Sequence, residues 1–86
     1  MPIVSLFFGI KITFNLDDHS PPHFHAEYAG NKAVINILEC VAIKSSLPKR
    51  QLKLVLAWAE IHKDELMQNW ELSREGEELI KIEPLR

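Results

Sequence analysis

The stretch His23-Phe24-His25-Ala26-Glu27-Tyr28-Ala29-Gly30-Asn31-Lys32-Ala33-Val34-Ile35-Asn36-Ile37-Leu38 decides the fold. Phe24, Ala26 and Tyr28 alternate with His23, His25 and Glu27, as a half-buried strand requires. Gly30-Asn31 is a two-residue hairpin signal, and Ala33 to Leu38 is a second run rich in β-branched residues. With Gly30-Asn31 as the whole loop, Phe24 faces Ile37, Ala26 faces Ile35 and Tyr28 faces Ala33, which makes one apolar face. On the other face His23 meets Leu38, His25 meets Asn36 and Glu27 meets Val34. Turn and pattern agree, so the hairpin carries the sheet.

Upstream, Ile3 to Phe8 is an apolar β-rich run that Gly9 breaks. Ile10, Ile12 and Phe14 then alternate with Lys11, Thr13 and Asn15, and Gly9 reads as a tight turn between two strands. Asp17-Asp18-His19-Ser20 is turn chemistry, because short polar side chains bond the nearby backbone. Pro21-Pro22 stiffens the loop and pushes Ser20 out of helical geometry; the sequence leaves a cis bond before either proline open.

Downstream, Val41 to Lys44 reads as a returning strand after a turn at Glu39-Cys40. Leu47-Pro48 starts a helix, with Ser46 as the cap. From Lys49 a stripe of Lys49, Lys53, Ala57, Glu60, Asp64, Gln68 and Glu71 recurs at helical spacing. The rest is dominated by apolar residues such as Leu52, Val55, Trp58, Leu66 and Trp70, so a long amphipathic helix must cover the sheet. Gly76 ends it, and a kink around Lys63-Asp64 is compatible with the pattern. Leu79 to Glu83 is then a short extended run that adds an edge strand or lies along the helix. The expected fold is α+β: an antiparallel sheet of four to five strands, one long C-terminal helix on one face, and a short terminal extended segment.

Residues 1–86 suffice for a single domain with one modest core. A hydrophobic share of 47% and a charged share of 26% are those of a globular protein. A formal charge of −2 gives no general reason to bind nucleic acid, although a local basic patch would suffice. The lone Cys40 excludes an internal disulfide and suits a reducing compartment. Met1 to Gly9 lacks the basic and long apolar regions of a signal peptide, and no apolar run approaches the ~20 residues of a membrane span. A cytoplasmic location without membrane contact is the expectation. The wide apolar helix surface would be hard to cover with short strands alone, which points to a homodimer or a heteromer.

The chemistry gathers in residues 17–27. His19, His23 and His25 stand there with Asp17, Asp18 and Glu27, and residues two apart on a strand share a face about 6–7 Å apart. Exposed sheet histidines that serve only to order a loop are one reading. A second is a divalent transition metal held by His19, His23 and His25 with a carboxylate. Its His-x-His-x-Glu spacing is similar to that of metal-binding barrels of the cupin type, which need more strands than this chain supplies. A third is a general acid and general base pair, His23 and His25, cleaving RNA without metal. There His19 joins the catalytic group, and Asp17, Asp18, Glu27 and Asn36 line the ligand. Lys11, Lys32 or Arg50 would supply charge stabilisation. His62 lies about half a helical turn from the polar stripe and reads as a partly buried histidine with one partner. Trp58 and Trp70 read as core.

Phe7-Phe8-Gly9, Asp18-His19, Pro21-Pro22-His23-Phe24-His25-Ala26, Leu47-Pro48, Trp58-Ala59-Glu60 and Asn69-Trp70 together resemble the small bacterial proteins grouped as domain of unknown function 4160. The resemblance runs essentially end to end. It implies a cognate small protein partner of the 2442 domain family, encoded alongside, and a toxin–antitoxin-like setting. It implies no reaction.

Overall fold

A computed structural model describes residues 2–16 and 19–86. Five strands form one antiparallel sheet in chain order: β1 (Ile3–Phe7), β2 (Ile10–Thr13), β3 (His23–Tyr28), β4 (Asn31–Asn36) and β5 (Val41–Ser45). The class is α+β, as the alternation predicts. Two turns share one geometry. Phe8 and Gly9 have φ of 50° and 78°, and Ala29 and Gly30 have φ of 49° and 85°. Positive φ at both central residues matches the right-handed twist of the flanking strands, which is why such turns close tight hairpins.

The second turn corrects the predicted register. The loop is Ala29-Gly30 and not Gly30-Asn31, so Phe24 faces Ile35, Ala26 faces Ala33, His23 faces Asn36 and His25 faces Val34. Asn31 is drawn into the ladder opposite Tyr28. The slip is two residues, an even number, so every side chain keeps its face. Phe24, Ala26, Ala33 and Ile35 are all buried, as the alternation requires.

One long helix is replaced by two nearly continuous ones, α1 (Lys49–Ile61) and α2 (Lys63–Arg74). His62, with φ −108° and ψ 25°, breaks the helical torsions. Helical hydrogen bonds persist on both sides, from His62 N–H to Trp58 O and from Leu66 N–H to His62 O. The break is therefore a kink one residue before Lys63. Every member of the predicted polar stripe is exposed. Ser46 does not cap α1: its hydroxyl accepts from Lys32 N–H at 3.0 Å and donates to Lys32 O at 3.3 Å, which ties it to β4. Gly76, at φ 72°, ends α2, and Glu77 N–H reaches back to Leu72 O.

The helices cover one face of the sheet. Val55, Trp58, Ala59, Leu66 and Trp70 join Ile10, Ile12, Phe14, Phe24, Ile35 and Ile37 in a single core. Residues 77–86 lack regular structure yet cross both candidate positions: Ile80 is held on α2, and Ile82 N–H bonds Val4 O at the β1 edge. Trp58 Nε1–H donates to Glu83 O at 2.8 Å. Among the described residues no helix is long and apolar enough to cross a membrane. Among the described residues the opposite face of the sheet carries no helix; His25 stands on it, and His23, at the start of β3, shares that side by alternation while its ring also meets Trp70 of α2.

Candidate functional site

Cross-strand pairing fixes the order of side chains on the open face. Thr13, His25, Val34 and Lys44 form one row across β2 to β5. Lys11, Glu27 and Lys32 form the next. A cleft of about 260 Å³ opens among Thr13, Asn15, His25, Ala26, Glu27 and Lys32. It holds a hydroxyl, an amide, an imidazole, a carboxylate and an ammonium group.

His23 and His25 are brought together, as their spacing predicts: their ring centroids are 5.3 Å apart with the planes at 73°. Each has a defined partner. The Nδ1–H of His23 donates to Pro21 O at 2.8 Å. A carbonyl can only accept, so Nδ1 carries the proton and Nε2 holds the lone pair of the neutral ring. The Ser20–Pro21 bond that leads into this contact is cis. His25 Nε2 lies 3.1 Å from Asn15 Nδ2, which donates to it. In that arrangement the neutral His25 carries its proton on Nδ1. The Asn15 side chain can present its oxygen instead when His25 is charged, so it serves either protonation state.

His19 is exposed, and among the described residues it joins neither ring. Asp17 and Asp18 lie outside the described residues. Among the described residues no group of three His, Cys, Asp or Glu side chains is arranged to hold a metal ion. Asn36 stands opposite His23, not His25, and its Oδ1 accepts from Glu39 N–H at 2.9 Å to close the turn into β5. Of the three candidate cations, Lys11 and Lys32 flank Glu27 on the histidine face. Arg50 lies beside Phe8, Gln51 and Leu54 around a separate groove. His62 stays with the helices, its Nδ1 bonded to Glu65 Oε1 and its ring 5.4 Å from Trp58.

Two features escaped the sequence reading. Thr13 and Asn15 line the cleft; their alternation with the buried Ile12 and Phe14 was the signal, since it put them on the histidine face. Trp70 is 1% exposed and belongs to the core, yet its ring also packs on His23 at 5.2 Å. Helical periodicity separates core from surface and cannot tell that one core ring reaches the first residue of a distant strand.

No curated protein and no solved structure matches the chain. Residues 9–71 match the model of a family described as domain of unknown function (DUF4160).

Proposed function

The chain belongs to the DUF4160 family, whose description carries no reaction, and we propose from its residues that it cleaves RNA without metal, as the active component of a toxin–antitoxin-like module. The observation that supports this reading is the contact of the His23 and His25 rings at 5.3 Å on the open face, beside the cleft that contains Lys32 and Thr13.

The step needs one base and one acid. His25, which accepts a hydrogen bond at Nε2 from Asn15, takes the role of base. A ribose 2′-hydroxyl replaces the Asn15 amide as donor and gives its proton to that nitrogen. The 2′-oxygen forms a bond to phosphorus, the bond from phosphorus to the 5′-oxygen breaks, and protonated His23 delivers its Nε2 proton to the leaving oxygen. The products are a 2′,3′-cyclic phosphate and a 5′-hydroxyl. Lys11 and Lys32 stand beside the developing negative charge, where a fixed cation stabilises the transition state more than the ground state. They provide a local basic row on a chain whose formal charge is −2. In the biological setting we propose, the small partner that the family resemblance implies holds this activity in check.

The test is incubation of the protein with end-labelled RNA in excess chelator. Cleavage with cyclic phosphate ends is expected, and His23→Ala and His25→Ala, both folded, should each abolish it together with any growth inhibition on expression. Full activity in both variants, or cleavage that needs added metal, sinks the reading.

A further inference from the structure

We propose that Trp70 is a positioning residue for His23, an inference that rests on the role of His23 as the acid of the pair. Trp70 projects from α2, and its ring lies 5.2 Å from the imidazole with the planes at 49°. Among the described residues His23 is held in its plane by the bond from Nδ1 to Pro21 O, and the indole packs against its ring at a tilt of 49°. The hydrogen bond disfavours a turn of the imidazole about its χ2 axis, because that turn puts a carbon in place of the nitrogen at the carbonyl, and packing against Trp70 adds a steric barrier to the same turn. This wall thereby helps to keep Nε2 as the nitrogen that handles the transferred proton.

The wall is aromatic and not aliphatic, and an indole face attracts a cation. It suits an imidazolium that waits to donate. Among the described residues, charged or titratable groups around this contact include His25, whose ring meets His23 edge-on, and Arg74, whose guanidinium carbon is 5.9 Å from the centroid of the Trp70 ring. Trp70 itself is locked by burial, since its residue is 1% exposed within the core. Its neighbour Asn69 grips the C-terminal segment. The reach from α2 to β3 is set by the same packing that builds the core, so the wall has little freedom to retreat.

Nuclear magnetic resonance of the imidazole groups tests this without reference to RNA. In the wild type the His23 ring protons should be displaced upfield by the Trp70 ring current, with Nδ1 carrying the proton of the neutral ring. Trp70→Leu, checked for folding by circular dichroism, should lose the displacement and show both tautomers of His23, with His25 unchanged. Trp70→Phe should keep the single tautomer with a smaller displacement. On RNA, Trp70→Leu should lower kcat about ten- to hundredfold with little change in KM, the scale expected when a reacting group is misplaced. A wild type without the ring-current displacement, or a Trp70→Leu variant whose His23 keeps one tautomer, overturns the proposal. Should Trp70→Leu fail to fold, the wild-type displacement and its reduction in Trp70→Phe decide. A wild type with these signatures that cleaves no RNA upholds the positioning and removes the reaction.

Discussion

The side-chain amide of Asn69 exchanges two hydrogen bonds with the main chain of Ile80, donating to its carbonyl and accepting from its N–H, each at 2.8 Å. Asn69 is fully buried, and this pairing gives an irregular tail the bonds it would otherwise have made in a strand. Asn69→Ala should cost about 2–3 kcal/mol, because two groups lose their partner next to a buried site. Urea denaturation reads the loss, and faster amide exchange at Ile80 and Ile82 locates it. A variant as stable as the wild type would show that the tail adds nothing to the fold.

The turn residues Phe8 and Ala29 both hold a left-handed backbone that a side chain makes unfavourable by about 1–2 kcal/mol. Asparagine tolerates that region, and Asn-Gly is the preferred pair for such a turn. Phe8→Asn and Ala29→Asn should each raise stability by up to about 1 kcal/mol, the former also removing a ring that is 59% exposed. Chemical denaturation of the two single variants and the double variant checks the gain. Loss of stability in Ala29→Asn would mean that the loop is held by something other than its own torsions.

These same residues explain how much of the fold was legible. Alternation in residues 23–28 and 33–38 set the faces, and each buried member was correctly placed, because a period of two survives any even slip. The register itself was missed: glycine next to asparagine outweighed alanine next to glycine by local preference, while the ladder won by pairing Asn31 with Tyr28. The helix was legible as a stripe, and the kink compatible with the pattern around Lys63-Asp64 falls one residue earlier, at the torsions of His62. The histidine pair was legible from spacing alone. Its partners were not, since Asn15, Pro21 and Trp70 reach it across the loop, the sheet and the core.

Ser5 is buried in β1, and its hydroxyl finds no hydrogen-bond partner among the described residues. An orphaned buried hydroxyl costs about 1–3 kcal/mol in lost hydration. Ser5→Ala removes that cost with one small atom, so the variant should be as stable as the wild type or more stable by about 1 kcal/mol. A clear fall in melting temperature would reveal a partner for this hydroxyl.

Burial pushes the Cys40 thiol up from the ordinary 9.0 to about 11, helped by the Glu60 carboxylate and opposed by Lys63. Its S–H donates to Leu56 O at 3.3 Å. The folded state therefore holds the proton more tightly than the unfolded chain. The stability gained from the protonated thiol is complete below pH 9 and is lost as pH rises from about 9 to about 11. At pH 8 the folded protein should carry about a hundredfold less thiolate than an unfolded thiol, and alkylation by iodoacetamide should be slowed accordingly. Glu60→Gln should speed alkylation of the folded protein. Equal rates for folded and denatured protein would contradict the assignment.

Glu27 stands between Lys11 and Lys32 in the register of the open face, where it offsets part of the charge that would greet a phosphate. It is part of the cleft wall but holds no proton in the proposed reaction. Glu27→Gln leaves shape and hydrogen-bonding capacity nearly unchanged and takes the row from one net positive charge to two. For a catalytically silent His25→Ala background, affinity for a short single-stranded RNA should rise about two- to fivefold at low salt, the scale of an exposed charge pair. The gain should vanish as salt approaches 1 M, where the screening length shrinks to about 3 Å. Lys32→Gln should shift affinity in the opposite direction. In the otherwise wild-type protein Glu27→Gln should lower KM and leave kcat alone, which separates a binding charge from a proton carrier. A collapse of kcat in Glu27→Gln would instead make Glu27 a base, and His25 would lose that role.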